Sequence, residues 1–113
     1  VDQWRARSAI AALSFCAYNQ AMKLHYDPIK SARNEAERGL PFAAAEAFDF
    51  DSALYLVDER KEYGEIRYIA IGYLGARLHV LCFTEVSEGI RVISFRKANE
   101  REAKRYGKTL TLD

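Results

Sequence analysis

The chain is poor in the residues that build disulfide frameworks, metal sites and membrane spans. It has two cysteines, Cys16 and Cys82, far apart, and two histidines, His25 and His79. Such a pair of thiols makes neither a disulfide framework nor a thiolate metal site. Reduced thiols in a cytoplasmic protein are expected, with no metal and no cofactor. Proline is scarce too, at Pro28 and Pro41. No linker, internal repeat or low-complexity segment is visible. The apolar run from Ala9 to Ala17 is far too short to cross a bilayer as a helix, so no membrane role is expected. An excess of either charge is also lacking: 17 Lys and Arg stand against 16 Asp and Glu. No global field therefore draws the chain to nucleic acid, and any basic surface must be local. Arg91 to Lys108 is rich in Lys and Arg, and Glu46 to Glu65 is rich in acids.

Enough apolar material is present for one modest core: half of 113 residues, one domain's worth. Residues 1–21 look foreign to the rest of the chain. They contain Trp4, Arg5 and Arg7 ahead of the apolar run, and the only methionine is Met22. A basic start before a short apolar run has the form of a secretory signal. The preferred expectation is an N-terminal extension over 1–21, with Met22 opening the domain proper, 22–113.

From there the spacing predicts a short strand at Lys23 to Tyr26. Asp27-Pro28 then starts a helix as N-cap and first helical residue, and Gly39 stops it. A second helix is expected from Phe42 to Phe48. Strands are expected at Ala53 to Val57, Glu65 to Leu74, Arg77 to Thr84 and Ile90 to Ala98, with a tight hairpin at Gly75-Ala76. Asn99 and Glu102 have capping-box spacing for a last helix, which Gly107 ends. The order β-α-α-β-β-β-β-α, with short strand connections, predicts an α+β fold. Its sheet is expected to be antiparallel, with helices on one face and the other face left for a ligand.

The informative stretch is Phe83 to Tyr106. On the final strand, alternation puts Ser94 and Arg96 on one face, and Arg91 and Lys97 on the other with Ile93 and Phe95. Guanidinium groups on a rigid strand suit phosphate oxygens. An edge strand with solvated charges fits the same pattern.

Several motifs, in order and spacing, resemble the BrnT family of bacterial toxins. They are His25-Tyr26-Asp27-Pro28 with Lys30 and Asn34, then Gly39 and Phe42, and Tyr63-Gly64-Glu65 with Arg67. Next come Ile71-Gly72, Phe83-Thr84-Glu85, and Ile90-Arg91-Val92-Ile93-Ser94 with Arg96-Lys97-Ala98, Glu102 and Tyr106. The resemblance covers Met22 to Tyr106. It implies a RelE-like ribonuclease that cuts RNA without a metal and inhibits translation. It also implies a BrnA-type antitoxin carrying a ribbon-helix-helix domain, with operator DNA engaged only through that antitoxin. The family's first helix commonly ends in Lys-His-Gly, whereas this chain has Glu37-Arg38-Gly39. A proton-transfer role for that histidine does not carry over. His25 and His79 are both expected to be structural.

Metal-independent RNA cleavage needs a base for the 2′-hydroxyl, cations for the transition state and an acid for the leaving oxygen. With the resemblance, Arg91 and Arg96 become the expected phosphate clamps, Arg67 a third, and Glu85, across a short turn from Arg91, the expected base. Lys97 or Tyr106 could serve as the acid, and Lys97, Lys30 and Tyr106 are expected RNA contacts. Simpler roles compete: a Glu85–Arg91 salt bridge, an Arg67 pair with Glu65 or Glu59, core packing for Tyr106, and a solvated face for Lys30. The rival functions are a degenerate toxin that only binds antitoxin, and an RNA-binding domain without catalysis.

Overall fold

Asp27 and Pro28 begin a helix because one offers a carboxylate to unpaired amides and the other a preset φ. Asp27 Oδ1 accepts from the Ile29 amide at 2.9 Å, and this helix, α1, runs Pro28–Arg38. Gly39 closes it in the left-handed region, at φ 66, with its amide donating to the Glu35 carbonyl at 2.8 Å. The structure is a computed structural model that describes residues 23–112. The expected extension, Met22 and Cys16 lie outside the described residues.

The residues of α1 that are buried are polar: Ser31 and Asn34. Hydrogen bonds therefore dock it. Ser31 Oγ accepts from the Phe42 amide at 2.9 Å, and Asn34 Nδ2 donates to the carbonyls of Leu40, at 2.7 Å, and Phe95, at 2.8 Å. The expected second helix is a tighter 3-10 helix, Phe42–Ala47. The strands are β1 (Lys23–His25), β2 (Leu54–Val57), β3 (Arg67–Leu74), β4 (Arg77–Val86) and β5 (Gly89–Lys97). The last helix, α2, is Glu100–Arg105, with the expected capping box between Asn99 and Glu102. The α+β class and the element order match the sequence pattern. No described helix is long and apolar enough to cross a membrane.

The five strands form one sheet in the order β1-β5-β4-β3-β2. β2 to β5 are an antiparallel meander, but β1 pairs with β5 in parallel, so the sheet is mixed rather than antiparallel throughout. The long excursion through α1, the 3-10 helix and β2 to β4 allows a parallel return. Gly89 makes that pairing possible, because a Cβ there would collide with the Lys23 backbone.

On one sheet face Tyr55, Tyr68, Ala70, Leu81, Phe83, Ile90, Val92 and Phe95 meet Leu40, Phe42, Ala45 and Phe48. Phe48 and Phe95 pack edge to face with centroids 6.0 Å apart. On the second face Ile71, Leu78 and Val80 meet Ala98, Ala103 and half-buried Tyr106 around α2. Helices thus lie on both faces, contrary to the single covered face expected. α2 follows β5 directly, and two Arg96–Glu102 hydrogen bonds, at 2.8 and 2.6 Å, draw it over one end of the second face.

The register of β4 and β5 shifts between Cys82 and Phe83: Phe83 pairs with Val92, Cys82 with Ser94, and Ile93 is the extra residue. This β-bulge reverses the facing of everything after it. Ile90 and Val92 face the first core, and so does Phe95. Consequently Arg91, Ser94 and Arg96 share the second face, and Lys97 goes with Phe95. Simple alternation separates Arg91 from Arg96; the bulge reunites them.

Candidate functional site

The part of the second face that α2 leaves uncovered carries one cross-strand row. Arg67 of β3 lies opposite Thr84 of β4, Thr84 opposite Arg91 of β5, and Arg91 beside His25 of β1. Side chains in such a row share a face and are close neighbours. Thr84 is buried and donates its hydroxyl to the Ile66 carbonyl at 2.8 Å, with Arg67 half-buried on one side of it and Arg91 exposed on the other.

Glu65, just before β3, spans them. Arg91 Nη2 donates to Glu65 Oε1 at 2.9 Å and Oε2 at 3.2 Å, and Arg67 Nε donates to Oε2 at 3.2 Å. Desolvation opposes the charge on Glu65, but the hydrogen bonds from Arg67 and Arg91 outweigh it and its pKa is lowered. The Arg67 guanidinium also lies over the Tyr63 ring, 4.0 Å from its centroid. Arg67 is thereby held on two sides, while the Arg91 side chain keeps 47% of its surface exposed.

The 58–66 loop is ordered by one buried acid. Asp58 accepts from Arg60 Nε and Nη2, both at 2.8 Å, from the Arg60 amide at 3.1 Å and from the Tyr63 hydroxyl at 3.0 Å. The Arg60 side chain, outweighing burial and helped by the Arg60 amide and Tyr63, lowers the Asp58 pKa to about 2. Arg60 is close enough to Arg96 and Cys82 to act on their charges. Four guanidiniums, of Arg60, Arg67, Arg91 and Arg96, therefore belong to one face. A planar fork on a rigid support can make two-point contacts to a phosphate oxyanion.

Not all the residues picked out from the sequence come to this row. Glu85 pairs with Ile90, so it points to the first face, away from Arg91. There its charge and hydrogen bond, after burial, help raise the Tyr68 pKa. Arg96 reaches the second face but is bonded at both Nη atoms to Glu102. Lys97 is exposed near the strand end, where it lines a cavity of about 260 Å³ with Arg38, Leu40 and Arg96. Lys30 is exposed on α1, which is anchored to the first-face residues Phe42 and Phe95. Tyr106 packs on the α2 core, with the Arg105 guanidinium 5.5 Å from its ring centroid. Arg67 does pair with Glu65, as its simpler role predicts.

Three residues of the face escape sequence reasoning. Glu65 is legible only as a partner of Arg67, because its bond to Arg91 crosses the intervening strand β4. Arg60 reads only as loop charge. His25 reads as structural, because its neighbour depends on the parallel pairing. One signal is available: a glycine opening β5 marks close backbone approach. His79, by contrast, is buried on the first face, with Nδ1 2.8 Å from the Arg77 carbonyl oxygen, and burial lowers its pKa. Cys82 is a buried free thiol whose pKa is raised, chiefly by desolvation. Among the described residues no cluster of three or more His, Cys, Asp or Glu side chains is placed to hold a metal ion.

No curated protein and no solved structure matches the chain. A family model, however, described as ribonuclease toxin, BrnT, of type II toxin-antitoxin system, matches residues 26–102. That span runs from Tyr26, just after β1, into α2 and takes in the whole of the arginine row except His25. The chain belongs to the BrnT family, the ribonuclease toxins of type II toxin-antitoxin systems.

Proposed function

We propose that the arginine face is the RNA-cleaving surface of an endoribonuclease that acts without a metal, in the cytoplasm, and arrests translation by cutting messenger RNA. The observation that carries this reading is the shared Glu65 carboxylate. It holds Arg91 and Arg67 side by side on an uncovered sheet surface, with their charges only partly offset. Exposed ion pairs add little net stability. A phosphodiester can therefore displace Glu65 from Arg91 at small cost and take up the same hydrogen bonds. The two guanidiniums then stabilise the extra negative charge that develops on phosphorus. Arg60 and Arg96 extend the cationic surface for flanking phosphates. Tyr63, already a platform for Arg67, offers a ring face for a base.

The partner in this reading is a BrnA-type antitoxin whose ribbon-helix-helix domain contacts operator DNA. Its toxin-binding segment is acidic and competes with RNA for the same arginines.

The test is Arg91→Ala. RNA cleavage should fall by ~100-fold or more, as with loss of one preorganised charge at a transition state. The melting temperature should hardly move. Arg91→Lys should recover only part of the rate, because Lys lacks the planar two-point contact. Full cleavage by Arg91→Ala would move the active surface elsewhere.

A further inference from the structure

Cleavage at the arginine row needs a group that accepts the proton of the 2′-hydroxyl, and the obvious carboxylates are poorly suited. Glu65 is held by Arg91 and Arg67, and Asp58 by Arg60 and Tyr63. Glu102 is held by Arg96 and by the Asn99 amide. A carboxylate bound this way is a weak base. Glu85 and His79 point to the other face, and the Cys82 thiol is buried.

A different kind of proton acceptor stands at the uncovered end of the row. His25 of β1 is the register partner of Arg91, on the same face and exposed. Adjacent strands lie about 4.8 Å apart, so Arg91, once a phosphate has displaced Glu65 from it, can hold that phosphate on the β1 side with its ribose towards the imidazole. A neutral imidazole nitrogen is the side-chain group most often used for such proton transfer. Arg91 adjoins His25 on β5. Lys23, two residues earlier on its own strand, is paired with Glu88 at 3.2 Å. Glu46 of the 3-10 helix lines a groove with His25, Lys23 and Leu24. Asp27, which caps α1, is occupied by the Ile29 amide.

We propose that His25 is the general base of the ribonuclease, a role that rests on the arginine row being the cleavage site. A neutral imidazole nitrogen takes the 2′-hydroxyl proton, and the 2′ oxygen bonds to phosphorus. The bond from phosphorus to the 5′ oxygen breaks, and that oxygen takes a proton from water. The hydroxide so formed removes the proton from the imidazolium. The products are a 2′,3′-cyclic phosphate and a 5′-hydroxyl end, with no oxidant or metal consumed. The role depends on β1 lying parallel to β5, and so on Gly89, which leaves room for the Lys23 backbone.

The experiment compares the full chain with His25→Ala, His25→Gln and Arg91→Ala. Each is assayed on a mixed-sequence single-stranded RNA, both free and loaded on ribosomes. Both His25 variants should cleave ~100-fold more slowly, with unchanged KM and melting temperature. The unaltered enzyme should gain rate with pH across about pH 5 to 8, and the His25 variants should lose that dependence. Added imidazole should restore part of the His25→Ala rate. If Arg91→Ala is inactive while His25→Ala cuts within a few-fold of the parent, the arginine row stands and the role of His25 is overturned. A slow His25→Ala that keeps the parent's pH dependence and ignores imidazole would also overturn it, by making His25 a positioning residue. Full activity in Arg91→Ala, or no cleavage by the unaltered chain, would remove the site reading and the base together.

Discussion

Asp58 shows how one side chain organises a loop. It is buried and accepts four hydrogen bonds, three from Arg60 and one from Tyr63. Tyr63 in turn supports Arg67, so the acid reaches the arginine row through two contacts. Its pKa falls from 3.8 to about 2 on folding, so the charged form is favoured by the native state. That stabilisation is fully present above 3.8 and is lost as pH falls through about 2. Denaturant unfolding of Asp58→Asn should therefore show a smaller loss of stability across this acid window than the parent. At neutral pH the variant should already be less stable, because Arg60 loses its charged partner. Parallel curves for the two proteins would assign the acid sensitivity to other carboxylates. Arg96 illustrates the limit of reading a residue type from sequence. Its guanidinium suits phosphate, yet both Nη atoms bind Glu102, so it anchors α2 as well as contributing charge.

At the scale of elements, local signals are legible and pairing signals much less so. Asp27, Pro28 and Gly39 bound α1 as expected, and Asn99 with Glu102 starts α2, because caps act within a few residues. The docking of α1 is hidden. A helix whose buried positions are Ser31 and Asn34 has no apolar stripe to read. Asn34 bridges Leu40 to Phe95, and no local pattern announces a bond to a strand so distant in the chain. Asn34→Ala should cost about 3 kcal/mol in denaturant unfolding, since two buried carbonyls lose their donor. Unfolding within a few tenths of the parent would mean that water replaces the amide. The bulge at Ile93 is hidden as well. Ile90, Val92, Ile93 and Phe95 are all apolar, so alternation alone sets Ile93 with Phe95, and only the pairing with β4 shows that Ile93 is the extra residue.

At the scale of the molecule, the sheet divides its labour. One face is packed by the 3-10 helix, and the other is split between α2 and the arginines. A type II toxin has an antitoxin as its partner, and in the reading proposed above an acidic segment of that partner covers the arginine end. In the complex, Arg91 should be protected from arginine-selective modification, and Arg96 less informatively so, because Glu102 already shields it. Unchanged Arg91 reactivity in the complex would put the antitoxin on another surface and leave inhibition to a change of conformation.

The sequence by itself determined the α+β order, both helix starts, the Gly75-Ala76 hairpin and the family motifs, because each depends on residues close together in the chain. It also marked Arg67, Arg91 and Arg96. Tertiary structure decided which of these meet. The parallel docking of β1, the bulge in β5 and the closure of α2 are long-range events, set by core packing and backbone pairing. Those events put Arg91 with Glu65 and His25 rather than with Glu85. A strand side chain has two possible faces, and the choice is made by the register of the whole sheet.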